Sequence, residues 1–251
     1  MNTPGHLRAR SAPRPSDALA AAVEALDWGR IGEELSARGC ATTGALLSPD
    51  QCAALADTYA QDAPFRSRVI MARHGFGRGE YKYFAYPLPE PVATLRSMLY
   101  PPLAAIANAW NELFSIDETY PAAHAAYLAR CNAAGQSKPT PLLLRYGAGD
   151  FNCLHQDLYG EQVFPLQATV LLSEPGRHFG GGEFVLTEQR PRMQSRVEVV
   201  RLRQGEAVIF AVHDRPVQGE KNIYRVRMRH GVSRLHHGER HALGVIFHDA
   251  K

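Results

Sequence analysis

Three side chains late in the sequence carry ligand chemistry: His155 and Asp157, separated by Gln156, and His230, seventy-three positions after the aspartate. Two imidazoles and one carboxylate are the set that holds Fe(II) by one face and leaves the opposite face open. Arg240, ten residues beyond the second histidine, adds a guanidinium suited to pairing with a carboxylate through two parallel bonds. A His-x-Asp tripeptide arises by chance in many chains of this length, so its weight depends on the elements around it.

Those elements read as short strands. Leu142–Tyr146, a glycine turn over 147–150 and Phe151–His155 have the pattern strand, tight turn, strand. Residues two apart on a strand share a face, which lets His155 and Asp157 reach one metal. Downstream come Leu166–Leu172, the turn Gly180–Gly182 feeding 183–186, Val197–Leu202, Ala207–Phe210 and Tyr224–His230, with His230 at a strand end. Arg240 opens a last strand to Phe247; paired antiparallel with the strand of His230, it would turn its guanidinium inward. His236 and His237 fall in the loop expected between these two, and 215–219 reads as another loop able to reach a pocket. The neighbours His213-Asp214 and His248-Asp249, and His178 by the glycine turn, read as packing or solvated groups. Six to eight short strands with glycine-rich connections specify an α+β chain with a mainly β core, a jelly roll rather than βαβ units.

Helical signals precede the strands. Ser16-Asp17 caps a helix over 18–26, 31–37 keeps helical spacing up to Gly39, and Ser48-Pro49-Asp50 starts another over 51–59. Two longer helices, 91–114 and 121–131, each open on proline. These N-terminal helices are expected to pack outside the β core. Residues 1–17 read as a flexible tail and 18–251 as a single domain, with 18–139 as helical support and lid and 140–250 as the catalytic core.

The segment 65–86 mixes Arg66, Arg68, Arg73, Arg78 and Lys82 with Phe65, Phe76, Tyr81, Tyr83, Phe84 and Tyr86. It could stack bases and neutralise phosphates, close as a flap hinged at Gly75, Gly77 and Gly79, or form an edge ribbon with solvated basic residues. Arg73, Arg78, Tyr81 and Tyr83 are its candidate substrate contacts. A second basic cluster, Arg190, Arg192, Arg196, Arg201 and Arg203, is interrupted by Glu198. The net charge is +3, so any nucleic-acid surface must be local. An apolar share of 45% and a mean hydropathy of −0.27 suit a sizeable globular core. No apolar run reaches the roughly eighteen residues of a membrane span. Four scattered cysteines lack disulfide or metal spacing, and a reducing cytoplasm is the expected compartment.

Taken in order, His-x-Asp, the GGEF of 181–184, His230-Gly231-Val232 and Arg240 resemble the 2-oxoglutarate- and Fe(II)-dependent oxygenases built on a double-stranded β-helix, over about residues 140–250. The resemblance implies His155, Asp157 and His230 as iron ligands and Arg240 as partner of the far carboxylate of 2-oxoglutarate, with O₂ as second co-substrate. Tyr146, nine residues before His155, resembles the tyrosine that bonds the co-substrate in AlkB-like nucleic-acid demethylases, where Leu144 is replaced by asparagine. The ten-residue step from His230 to Arg240 resembles that of prolyl hydroxylases. Three functions follow: oxidative dealkylation of a nucleobase in DNA or RNA, hydroxylation of a protein side chain or small metabolite, or a non-catalytic metal-binding or sensor module.

Overall fold

The computed structural model describes residues 15–220 and 222–251. The first half runs α1 (Pro15–Glu24), α2 (Trp28–Arg38), β1 (Cys40–Ala45), α3 (Pro49–Asp57), β2 (Phe65–Ile70), β3 (Gly77–Arg78), β4 (Glu80–Phe84), α4 (Glu90–Leu113) and α5 (His124–Ala133). Then follow β5 (Leu142–Gly147), β6 (Phe151–His155), β7 (Leu166–Leu171), β8 (Phe179–Gly181), β9 (Phe184–Gln189) and β10 (Arg196–Val200). Strands β11 (Glu206–Ala211), β12 (Asp214–Gln218), β13 (Ile223–Val232) and β14 (Leu235–Val245) complete the jelly roll.

Two antiparallel sheets make up the core. One has the order β1-β11-β7-β14-β5-β4-β2, with β8 also on β14; the other is β10-β9-β13-β6-β3, with β12 also on β13. Central β7 is buried at all six positions, because it lies between β11 and β14 and beneath neither solvent face. Helix α2 packs on β1 and β11, and α4 on β14, as the expected outer layer. Local chemistry sets the helix ends. Asp27 accepts from the Arg30 amide at 3.0 Å to start α2, Gly39 ends it at φ 78, and Ser48 with Gln51 forms a capping box on α3.

Several boundaries differ from the sequence reading. Residues 15–17 of the expected tail form the first turn of α1, and the rest of that tail lies outside the described residues. Helix α5 starts at His124, three residues after Pro121. The 18–139 stretch also contributes four strands, two of them, β2 and β4, forming an antiparallel edge pair. Lys82 on β4 is buried rather than solvated: its Nζ donates to the carbonyls of Tyr59 and Gln61 and to Asp62 at 2.8–3.0 Å. Arg215 belongs to β12, not a loop, and is buried against Glu188 and the Ser36 carbonyl. His236 and His237 lie on β14, so Arg240 stands mid-strand. His230 is two residues short of the end of β13. Among the described residues no helix is long and apolar enough to cross a membrane.

One buried polar cluster ties the segment that follows β14 to α4. Arg96 Nε donates to the Ile246 carbonyl at 2.8 Å, one terminal nitrogen to the Tyr86 hydroxyl at 2.8 Å, and the other to the His248 carbonyl at 3.0 Å and Asp249 at 2.8 Å. His124 meets the Phe247 carbonyl at 2.8 Å beside it.

Candidate active site

β6 and β13 pair with His155 directly opposite His230, so both imidazoles leave the ladder on one side. Their ring centroids are 4.2 Å apart. Asp157 stands two residues beyond the end of β6, in the connection that follows rather than on a strand. Its Oδ1 is 3.5 Å from His155 Nε2 and its Oδ2 is 3.3 Å from His230 Nε2. One donor atom from each of the three lies within 4.8 Å of the others, the only such His, Cys, Asp and Glu grouping among the described residues.

Burial and mutual charge set the ionisation of the three donors. Burial works to raise the Asp157 carboxyl, but the two imidazoles outweigh it and hold the group well below the usual carboxylate range. Burial pulls the His155 imidazole down, yet the hydrogen bond and charge of Asp157 leave a net upward shift. Burial, then the charge of His155, lowers His230. His155 Nδ1 lies 2.8 Å from the Cys153 carbonyl; the tautomer that donates there turns the Nε2 lone pair to the centre.

Asp157 is itself held. The Tyr159 hydroxyl donates to its Oδ1 at 2.8 Å. Gln136 then pins the following turn, donating to the carbonyls of Tyr159 and Gln162 at 3.1 and 3.0 Å and accepting from the amides of Glu161 and Gln162. Gly160 passes so close, at φ +89, that a Cβ would lie 2.5 Å from the Gln136 side chain.

The opposite wall belongs to the other sheet. Arg240 on β14 is in register with Tyr146 on β5, and its guanidinium carbon is 5.7 Å from the tyrosine ring centre. β14 is not the antiparallel partner of β13; its neighbours are β5, β7 and β8, and the guanidinium reaches the interior from across the sandwich. Gly182, at φ +64, makes room for this, since a Cβ there would sit 3.1 Å from Arg240 Cδ and 2.4 Å from Leu235. Arg240 is 2% exposed, and its Nε, the Tyr146 hydroxyl, His230 Nδ1 and Gln167 Oε1 find no hydrogen-bond partner among the described residues. Burial lowers the Arg240 guanidinium and raises the Tyr146 phenol. Both walls enclose one cavity of about 320 Å³, floored by Leu142, Leu144, Ala242 and Gly244.

His155, Asp157, His230, Arg240, Tyr146 and Tyr81 therefore share one cavity. Arg73 and Arg78 are exposed outside its wall, with Arg78 Nε 3.7 Å from Asp150. Tyr83 is buried behind Tyr81, their rings edge to face at 5.3 Å. Sequence reasoning missed Tyr159, Gln136 and the inward Gln167 and Thr169 of β7. The same two-residue offset that joined His155 to Asp157 could have found Tyr159. The donor set fits Fe(II), and the orphaned guanidinium and phenol fit a carboxylate.

Fold and site are those of an oxygenase, an oxidoreductase: the fold is shared with 2-oxoglutarate- and Fe(II)-dependent enzymes, and the three-donor cluster fits a metal of that kind. Residues 79–250 match the model of the Oxygenase-NA family, described as oxygenases catalysing oxidative methylation of damaged DNA, and the chain belongs to that family. It is 46% identical over 167 residues to an uncharacterized protein of Mycobacterium tuberculosis strain H37Rv, covering 66% of this chain and 72% of that one. Among solved structures, its fold is similar to that of a 2OG-Fe(II) oxygenase-family oxidoreductase from Burkholderia pseudomallei, with a TM-score of 0.50 and 16% identity over 90% of this chain and 93% of that one. A non-heme alpha-ketoglutarate-dependent epimerase, SnoN from nogalamycin biosynthesis, gives a TM-score of 0.51 and 15% identity over 86% of this chain and 80% of that one. Membership in an oxygenase family sets aside the reading as a non-catalytic module.

Proposed function

We propose that the protein removes alkyl groups oxidatively from bases in damaged DNA, with His155, Asp157 and His230 as the iron ligands and Arg240 and Tyr146 as the anchor of 2-oxoglutarate. The observation that carries the site assignment is the pairing of walls: three converging donors on one, and a buried guanidinium and phenol without partners on the other. Each unpartnered group would cost stability in a closed core and gains charge-assisted bonds when a carboxylate arrives.

Fe(II) bound to the three donors would supply the redox chemistry in which 2-oxoglutarate and O₂ become succinate and CO₂ while one oxygen atom enters a substrate C–H bond. The chain's own residues do the rest. Tyr159 fixes the Asp157 carboxylate, and Arg240 and Tyr146 orient the co-substrate by its far end. Leu142, Leu144, Ala242 and Gly244 line the floor with apolar, partly small groups that exclude water. Phe76 and Tyr81 offer flat faces at the mouth to a base turned out of its stack. Hydroxylation of an N-methyl carbon gives an unstable N–CH₂OH, which releases formaldehyde and restores the N–H. In this reading, oxidation therefore unloads a methyl group. The family description supports damaged DNA as the substrate.

Anaerobic titration with Fe(II) and 2-oxoglutarate should give a weak visible charge-transfer band that His155→Ala removes. Admitting O₂ with an N-methylated oligonucleotide should then release succinate and formaldehyde in equal amounts. Succinate coupled to oxidation of a peptide or metabolite, with none from DNA, would transfer the proposal to the side-chain or metabolite hydroxylase suggested by the ten-residue step to Arg240.

A further inference from the structure

The six-stranded sheet has a second face, turned away from the cavity. On β13, Arg225, Arg227 and Arg229 alternate with buried Val226, Met228 and His230, so the three arginines are exposed together on that outer face. Strand geometry spaces them about 7 Å apart in a line. Arg225 has local company, with Asp214 at 3.7 Å and the Phe114 ring at 4.3 Å. Arg227 and Arg229 have no ion-pair partner among the described residues. On β9, Val185, Thr187 and Gln189 face the same way and Glu188 is buried against Arg190, Arg196 and Arg215; on β12, Asp214 is in register with Arg227 and gives the three arginines one nearby carboxylate. Like charges in a row on one sheet face repel, and an anion lying along the row would relieve that repulsion.

The row also leads to the site. Arg229 directly precedes His230, and Gln156 of the cavity wall donates to the Met228 carbonyl at 2.8 Å. From there the arginines run outward over the sheet, while Leu154 and Phe76 stand exposed at the mouth itself. We propose that this outer face docks the backbone of the DNA strand that carries the target base, with phosphates of flanking nucleotides on Arg229, then Arg227, then Arg225. The planar guanidinium fork matches a phosphate, and successive phosphates of an unstacked strand can follow cations two strand positions apart. The inference rests on the DNA reading of the cavity and adds the path by which the strand leaves it.

The test is a fluorescence-anisotropy titration of a labelled single-stranded methylated DNA over a salt series. It compares the wild type, the double variant Arg227→Gln/Arg229→Gln, and a control, Arg38→Gln/Arg177→Gln, which removes the same charge from elsewhere. The β13 variant should bind at least tenfold more weakly at low salt, and its slope of log affinity against log salt should be shallower by about 1.4, near 0.7 per lost phosphate contact on a single strand. The control should stay within twofold of wild type, and an unchanged melting temperature for the β13 variant shows that the loss is not one of folding. Wild-type binding with a steep salt slope that the β13 variant shares in full would overturn the docking face and leave the DNA reading standing. No wild-type binding at low salt would overturn both. Binding confined to an RNA strand of the same sequence would overturn the assignment to DNA.

Discussion

Arg96 and Arg240 are equally buried, at 2% exposure each, and live in opposite circumstances. Every nitrogen of Arg96 has a partner, and Asp249 balances its charge. Arg240 has two aromatic rings nearby and no carboxylate paired with it among the described residues. Burial of a satisfied guanidinium organises the fold. An unsatisfied one spends folding free energy to be ready for a ligand, and the neighbouring Tyr146 hydroxyl and His230 Nδ1 share that condition.

The contrast breaks most visibly at the ligands. His155→Ala or Asp157→Ala should reduce succinate formation to background while circular dichroism and the thermal transition remain those of a folded protein. In the other cluster, Asp249→Ala leaves Arg96 without its counter-charge and should cost about 3–5 kcal/mol in urea unfolding, with little change in 2-oxoglutarate affinity of the folded fraction. Acid should attack the same cluster. Burial first, and then the charge of Arg96, lowers His124 and His248 to about 4, against 6.5 for the ordinary group. The unfolded chain therefore takes up these protons at a higher pH than the folded one. Stability is full above about 6.5 and falls as pH drops toward 4, by up to about 3 kcal/mol per histidine, which urea midpoints across that range would register. Arg240→Ala should raise the 2-oxoglutarate concentration for half-saturation by roughly 10- to 100-fold, the loss of a charge-assisted pair, and should not lower the melting temperature. Tyr146→Phe should have the smallest effect, about fivefold on the same half-saturation, because one neutral donor is lost.

The Arg240 side of this contrast was legible in the sequence and the Arg96 side was not, and the reasons for the gaps are physical. His155, Asp157, His230 and Arg240 stood out because ligand residues are chemically specific and their offsets survive any detail of strand pairing. The apolar runs of β5, β7 and β11 were likewise readable, since buried central strands show nearly unbroken hydrophobicity. β12 and the first half of β14 were hidden by Arg215, His236 and His237, polar residues that propensity assigns to loops. Lys82 looked solvated and Arg215 looked like part of a loop because composition cannot foresee the carbonyls and carboxylates that meet them in the interior. The sheet exchange was invisible as well. A tight turn usually joins paired strands, but β5 and β6 enter different sheets, which is how Tyr146 and His155 come to face each other across the cavity.

The register of Arg240 with Tyr146 also has a kinetic side. The two residues are distant in sequence, and β14 reaches its place only by inserting between β5 and β7, already separated by β6. Such a non-local closure is slow compared with hairpin formation. During synthesis the anchor is therefore absent until β14 has emerged and zipped into the gap, and a slip of one residue would turn the guanidinium out to the helical layer. If the proposed anchor holds, affinity for a dicarboxylate would report completion of the barrel, and retention on a 2-oxoglutarate resin would sort chains that have seated their last strand from those still open.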